Sequence, residues 1–147
     1  MVSYLRKTMH FPIRDREIDR EGARRAELVV FKQEKEKLQR LGRQDLARKV
    51  KDVSRSTGYG YDIQSYSDNG RLLRIEVKST SGKRIGNFVL TSSEWTAAKM
   101  FKKTYHVYIV FQPRTKFPEI LPLANFSSLV NNGRIRVEPF TYIAQIA

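Results

Sequence analysis

Two runs of residues that favour β-strands, joined by a three-residue loop, constrain the fold of this chain more than any other feature. The runs are Tyr59–Ser67 and Arg71–Ser79, and the loop is Asp68–Gly70. Glycine at the end of the loop suits the left-handed conformation that such a tight hairpin requires. The loop then predicts a register in which Asp62 lies directly opposite Glu76, on the same face of the sheet.

Three ionisable residues, Asp62, Glu76 and Lys78, interrupt strands that otherwise suit a sheet interior. Lys78 lies two residues beyond Glu76 and therefore shares its face. Two carboxylates placed opposite each other are unfavourable unless a cation lies between them. With the ammonium group they suit metal-assisted hydrolysis of a phosphodiester, in which the lysine positions the attacking water or stabilises the transition state. The alternative is a cross-strand salt bridge on a solvated face of the sheet.

A further carboxylate falls within the apolar stripe of the first predicted helix, Glu21–Leu41. Glu27 lies three residues before Val30 and four before Phe31, so the helical period places it at or beside the face that packs on the sheet. Burying this carboxylate without a partner is costly, and a cation is one suitable partner. Glu27 thereby completes a predicted metal pocket built from three elements. The alternative is a boundary glutamate that reaches solvent or pairs with a nearby arginine.

The order of elements predicts an α/β fold, a mixed β-sheet flanked by helices in the order α-β-β-β-α-β. Thr91 and Glu94 have the spacing of a capping box for a helix that runs to about Lys103, and this cap explains Glu94 better than catalysis does. The other predicted elements are a short helix in "RQDLARKV", strands in "IGNFVLT" and "TYHVYIVF", and candidate strands in "KVKDVS", "EILPL" and "RIRVEPF". We predict an arm at 1–20, a core domain at 21–125 and a C-terminal extension at 126–147 that packs on the core.

The charge of the chain favours a polyanionic partner. The 147 residues include 28 Lys and Arg against 15 Asp and Glu, a net charge of +13, and nucleic acid is the common polyanion. The alternative is a basic surface that serves solubility. No apolar run approaches the ~20 residues of a membrane span, so no membrane association is expected. The lack of cysteine excludes disulfides and thiolate metal sites and fits a cytoplasmic protein.

The arrangement of an acid on a first helix, an aspartate on one strand and Glu-x-Lys on the next resembles the PD-(D/E)XK nuclease superfamily. More narrowly, "GYDI", "IEVKST" and "SSEW", within roughly Glu21–Phe111, are similar to the domain at the C-terminus of the plant protein NO VEIN. That domain also recurs in bacterial restriction and phage-defence proteins and is related to Mrr-type restriction endonucleases. The proline of the superfamily's name is absent, since Tyr61 precedes Asp62.

The resemblance implies a restriction-endonuclease-like core that uses Mg²⁺, with Mn²⁺ as a substitute. It implies that Asp62 and Glu76 hold the metal ion, assisted by Glu27 and by the main-chain carbonyl of Val77. Lys78 would act at the attacking water. Because the family also contains domains whose nuclease activity is inferred, the resemblance implies competence for catalysis more than it demonstrates turnover.

Four polar residues after the Glu-x-Lys motif are candidates for contacts with DNA. Ser79 and Thr80 suit a hydrogen bond to a phosphate oxygen, and Lys83 and Arg84 suit a clamp on the backbone. The alternatives are ordinary polar residues at a strand end and solvated charges in a loop.

These observations predict a Mg²⁺-dependent DNA endonuclease domain of restriction or defence type that attacks the phosphodiester with a metal-activated water. The first rival is a non-catalytic nucleic-acid-binding module that keeps the nuclease fold; the second is an interaction domain of a larger defence complex. We expect double-stranded DNA as the partner and a homodimer, since two-fold symmetry is the commonest oligomer. The chain has no ATPase motif, so any translocation requires a separate motor or defence subunit.

Overall fold

The computed structural model of the protein describes residues 19–56, 58–140 and 144–146, so most of the predicted arm at 1–20 lies outside the described residues. Within them the elements are α1 (Arg20–Arg40), α2 (Gln44–Ala47), β1 (Lys51–Asp52), β2 (Ile63–Tyr66), β3 (Leu72–Thr80), α3 (Ser92–Phe101), a 3₁₀ turn (Lys102–Thr104), β4 (Tyr105–Phe111), β5 (Glu119–Leu123) and α4 (Phe126–Asn131).

The five strands form one mixed sheet in the order β1-β2-β3-β4-β5. β3 and β4 are parallel and are joined by a crossover that contains α3, whereas the other neighbouring strands are antiparallel. Parallel neighbouring strands require such a crossover, because the chain must return to the starting end of the first strand before the second strand begins. The predicted class is confirmed: the protein has an α/β fold with a restriction-endonuclease-like mixed sheet flanked by helices.

The hairpin of β2 and β3 has the register that its loop predicts. Ile63 pairs with Ile75 and Tyr66 with Leu72, and the Ser67 N–H donates to the Arg71 carbonyl (2.9 Å). Gly70 has φ +85°, the conformation expected at the end of a three-residue loop. Local turn chemistry therefore determines the pairing along all of β2.

The two faces of the sheet are covered by different helices. α1 and α2 pack on the face that carries Ile63, Ile75 and Val110. α3 and α4 pack on the opposite face, which carries Val107 and Ile109. Because β3 and β4 are parallel and in register, Glu76 beside Val107 and Lys78 beside Ile109 lie on the α3 face.

Both long helices are capped at their first turn, α1 by Asp19, one residue before Arg20 and the predicted start at Glu21, and α3 by the predicted Thr91. The side chain of Asp19 accepts a hydrogen bond from the Gly22 N–H (2.9 Å) at the start of α1, and Gly42, with φ +73°, follows its end. Both bonds of the predicted capping box are present at the start of α3. These termini depend on residues within three or four positions of each other, which is why the sequence reveals them.

Two predicted strands are wrong. The segment "IGNFVLT" (85–91) and the segment "RIRVEPF" (134–140) are irregular. β3 already has β2 on one edge and β4 on the other, so the segment that follows β3 finds no free edge beside it. Apolar side chains of both segments instead cover the core under α3, where they pack without pairing: Ile85, Phe88, Leu90, Ile135 and Val137.

The chain after β5 contains a helix that the sequence did not predict. Asn125, in the left-handed conformation, caps α4 through its side chain, and Phe126 is fully buried in the core under α3. The domain boundaries proposed from the sequence remain predictions. No helix in the described part of the chain is long and apolar enough to cross a bilayer.

Candidate active site

Asp62 immediately precedes the first residue of β2, and here the hairpin departs from its predicted register. The Asp62 N–H donates to the carbonyl of Ile75 (2.9 Å), which is already the pairing partner of Ile63, so the ladder bulges here and the predicted direct pairing of Asp62 with Glu76 is not formed. Its carboxylate accepts a hydrogen bond from the Val77 N–H (2.8 Å). The Asp62 side chain thus takes the place of a main-chain acceptor for the Val77 N–H. The bulge-like offset of Asp62 directs its carboxylate toward β3.

Glu76 and Lys78 on β3 form a buried chain of charges with Glu94 on α3. Lys78 Nζ lies 3.1 Å from Glu76 Oε1 and 2.7 Å from Glu94 Oε2. The side chains of Glu76, Lys78 and Glu94 are 6%, 18% and 15% exposed. We call Asp62, Glu76, Lys78 and Glu94 the acidic pocket.

Glu94 belongs to the acidic pocket as well as to the cap of α3, which the sequence did not reveal. Its Oε2 accepts the Thr91 N–H (2.9 Å), as the capping box predicts, and the same oxygen accepts Lys78 Nζ. The cap and the contact with Lys78 are therefore compatible, because the cap holds the Glu94 carboxylate within hydrogen-bond distance of Lys78 Nζ. The spacing "TSSE" signals the cap, but nothing local in the sequence signals a partner 16 residues away.

A glycine brings the loop before β2 against α3 and so places Asp62 beside Glu94. Gly60 has φ +72°, and a Cβ atom there would lie 2.7 Å from the Ser93 carbonyl oxygen and 2.9 Å from Ala97 Cβ. The Tyr105 hydroxyl donates to the Gly60 carbonyl (2.8 Å) from the buried start of β4. A side chain at position 60 would therefore push the loop away from the helix.

Burial and mutual repulsion raise the pKa values of both strand carboxyls. Burial raises the pKa of Asp62 to about 6, with contributions from Glu27 and Glu94, against the hydrogen bond from Val77 and the charge of Lys78. Burial also raises the pKa of Glu76 well above its usual range; Lys78 opposes this shift, and Asp62 and Glu94 add to it. Burial lowers the pKa of Lys78, but Glu76 and Glu94 outweigh it and keep the pKa above its ordinary value. Three carboxyl groups thus share one ammonium group, an arrangement that favours either protonation of a carboxyl or a bound cation.

Glu27 approaches the pocket from the opposite side of the sheet, on α1. Its carboxylate accepts hydrogen bonds from Arg24 (3.0 Å) and from the Ser54 hydroxyl (2.9 Å), and Arg24 also pairs with Asp52 on β1. Glu27 thus has an arginine partner, as the alternative interpretation held, while its charge still raises the pKa of Asp62. Asp52 and Ser54 were not predicted here, since they lie 28 residues from Arg24 and 27 residues from Glu27, respectively, and such distances carry no local signal of contact.

Two carboxylates of the pocket, those of Asp62 and Glu76, are of the ligand type that a hard divalent cation prefers. No group of three or more His, Cys, Asp or Glu residues in the described chain has the geometry of a metal site, so Glu27 is not brought into one ligand set with Asp62 and Glu76. Mg²⁺ needs only one or two carboxylates because it keeps several waters. In a strand the N–H and C=O of one residue point to the same neighbour, so the Val77 carbonyl points to the side where Asp62 lies.

The remaining candidates flank the pocket without entering it. Thr80 shares the face of Lys78 at the end of β3, and its hydroxyl accepts the Gly82 N–H (3.3 Å); Ser79 points to the opposite face. Lys83 and Arg84 are exposed in the loop that follows. None of the four makes a hydrogen bond or an ion pair with the acidic pocket within the described structure.

A second buried carboxylate lies on the α1 face, away from the acidic pocket. Glu34 is fully buried and accepts hydrogen bonds from the hydroxyls of Tyr108 (2.9 Å) and Ser65 (2.8 Å), and it also pairs with Lys37. Ser65 belongs to β2, Tyr108 to β4 and Lys37 to α1 itself. This cluster satisfies a charge in the core and ties α1 to the sheet.

Comparison with known proteins identifies one family. Residues 26–122, which include every predicted site residue, match the family model described as "Protein NO VEIN, C-terminal". The match covers well over half of the chain, and the domain of this family is PD-(D/E)XK-like. No curated protein and no solved structure matches the chain.

Proposed function

This chain belongs to the family of the NO VEIN C-terminal domain, and from this premise we propose that it is a Mg²⁺-dependent DNA endonuclease of restriction or defence type. One observation carries the proposal: Lys78 bridges Glu76 and Glu94 in a buried pocket beside the carboxylate of Asp62. A pocket in which three carboxyl groups share one fixed ammonium group is suited to a metal ion and to phosphodiester chemistry.

Each residue of the acidic pocket has a role that follows from its position. The ammonium of Lys78 orients the attacking water or binds the phosphate oxygen on which charge develops. Glu94 is a positioning residue, because it holds Lys78 from α3. Asp62, Glu76 and the Val77 carbonyl would hold Mg²⁺ or Mn²⁺, which supplies Lewis acidity and lowers the pKa of a bound water.

The proposed reaction is direct hydrolysis. The oxygen of water attacks phosphorus, and the bond from phosphorus to the leaving oxygen of the chain breaks. The leaving oxygen takes up a proton, and no covalent enzyme intermediate forms. Glu27 assists from α1 through its charge near Asp62, or as a ligand once it leaves Arg24.

The charge of the protein supports DNA as the substrate. A net charge of +13 attracts the phosphate backbone and brings the duplex to the pocket. We propose that Ser79, Thr80, Lys83 and Arg84 contact the backbone near the cleaved bond. Cleavage of both strands calls for two pockets, which a homodimer supplies, and translocation would require a separate motor subunit.

The test is nicking of supercoiled plasmid with Mg²⁺ or Mn²⁺, compared with EDTA. Glu76→Ala and Lys78→Ala should each lower the rate by about 10²-fold or more while largely preserving DNA binding. Glu36→Ala, which removes an exposed acid of α1, is the matched control and should cleave like the wild type. Cleavage that survives in both pocket variants would reject the assignment.

A second candidate function is a nucleic-acid-binding module without catalysis. The observation that favours it is that Lys78 is already paired with two carboxylates and that the described residues form no three-acid metal group. This candidate predicts salt-sensitive DNA binding that EDTA does not change. Tight binding without cleavage of any DNA substrate in Mg²⁺ or Mn²⁺ would select it over the nuclease.

A further inference from the structure

Three lysines line a groove at the end of α3 that is remote from Glu94. Lys99 lies in the last turn of α3, and Lys102 and Lys103 lie in the 3₁₀ turn that follows; all three are exposed. All three line the same groove. No carboxylate in the described part of the protein lies within ion-pair distance of them, and Lys99 Nζ lies over the ring of Trp95, 5.3 Å from its centroid.

The opposite wall of the groove supplies hydrogen-bond donors. The groove, of about 840 Å³, is closed by α4 and its flanks, which contribute Asn125, Asn131 and Asn132. The side-chain oxygens of Asn125 and Asn132 accept main-chain N–H groups, from Ser128 (3.4 Å) and Arg134 (3.2 Å). Their amide N–H groups are therefore the ones left to face a ligand, and a ligand that suits amide donors and ammonium groups is an anion.

The backbone at the groove is strained. Three non-glycine residues in the described chain have positive φ, and two of them, Lys102 (φ +51°, ψ −121°) and Asn125 (φ +50°), line this groove. A lysine rarely adopts such a conformation, and strain of this kind concentrates at binding sites.

An arginine supports the floor of the groove. The guanidinium of Arg74 lies 3.7 Å from the centroid of the Phe101 ring and donates to the Thr104 hydroxyl (3.0 Å). Arg74 thereby adds a cation against the half-buried ring of Phe101, which also lines the groove.

We propose that this lysine–asparagine groove binds the phosphate backbone of duplex DNA away from the bond that is cleaved; the inference rests on the proposed function and deepens it. One DNA strand carries a charge every ~3.4 Å along its axis, and the three flexible lysine side chains that line the groove can each contact a phosphate. From Glu94 to Lys102 the helix rises about 12 Å. The groove therefore contacts phosphates about four nucleotides from the acidic pocket.

The experiment is the salt dependence of binding to a short fluorescent duplex in EDTA, where no cleavage occurs. Replacing Lys99, Lys102 and Lys103 by Gln should flatten the slope of log K against log salt by about 2.7, since each lost phosphate contact contributes about 0.9. The matched control replaces three cations with Gln at the far edge of the sheet: Arg48, Lys49 and Lys51, which are exposed and have no acidic partner within the described residues. The control should keep most of the wild-type slope.

Four further outcomes make the test decisive. The Lys99→Arg, Lys102→Arg, Lys103→Arg variant keeps the three charges and should restore the slope, which a folding defect of the Gln variant would not explain. Equal slopes for the groove and control variants, with wild-type binding intact, would overturn this inference and leave the nuclease proposal standing. Loss of plasmid nicking in Glu76→Ala with an unchanged binding slope would show that the acidic pocket acts in cleavage and that the groove acts in binding. Wild-type protein that does not bind DNA would overturn both.

Discussion

Asp62→Asn should make the metal-free protein more stable at neutral pH while it abolishes cleavage. The carboxylate of Asp62 is largely buried beside Glu27 and Glu94, and burial with these charges raises its pKa from 3.8 to about 6. An amide at this position can still accept the hydrogen bond from the Val77 N–H, so the variant removes the charge and keeps the local contact.

The sign and size of the effect follow from proton binding. Because the folded pKa of Asp62 exceeds the unfolded value, the folded state binds more protons between about pH 4 and pH 6. The free energy of unfolding of the wild type therefore falls as the pH rises through this window and stays lower above it. Two pH units between the two pKa values correspond to about 3 kcal/mol. Asp62→Asn should recover about 2–3 kcal/mol at pH 7 and almost nothing at pH 4.

Urea unfolding in EDTA at pH 4 and pH 7 measures this difference, and thermal unfolding at pH 7 should show a shift of about 6–10 °C for a chain of this length. Mg²⁺ should then stabilise the wild type, by about 2.7 kcal/mol at a concentration 100 times its Kd, and leave Asp62→Asn unchanged. Asp68→Asn, in the exposed hairpin loop, is the matched control and should show neither effect. An Asp62→Asn protein that is less stable than the wild type at pH 7 would refute this account of the pocket charge.

Three other substitutions test the supports of the site. Gly60→Ala should destabilise the protein by more than Gly70→Ala in urea unfolding, since both residues have positive φ but only a Cβ at position 60 meets the main chain of α3; equal losses would contradict the close contact. Tyr108→Phe should cost about 1–3 kcal/mol of stability by removing a hydrogen bond to the buried carboxylate of Glu34, with unchanged nicking per folded molecule. Glu94→Gln should change stability by less than about 1 kcal/mol, because glutamine also serves in a capping box. The same variant should lower the rate of nicking up to about 10²-fold, because the pocket lysine loses its position; nicking at the wild-type rate would remove Glu94 from the site.

The sequence determined those features that depend on neighbours along the chain. The loop at Asp68–Gly70 fixed the register of β2 against β3, and the spacing of Thr91 and Glu94 fixed the start of α3. Alternation along β3 placed Glu76 and Lys78 on one face, where they pair. Turn geometry, capping and side-chain period act within a few residues, so a single sequence contains all the information that they need.

Tertiary structure decided where these local pieces meet. It offset Asp62 by one residue and gave its carboxylate the Val77 N–H, it turned a capping glutamate into the partner of Lys78, and it held Glu27 with Arg24. It also left the segment 85–91 outside the sheet, because both edges of β3 were occupied by other strands. Each of these outcomes depends on competition among residues distant in sequence for the same hydrogen bonds, charges and sheet edges, and only the folded chain settles that competition.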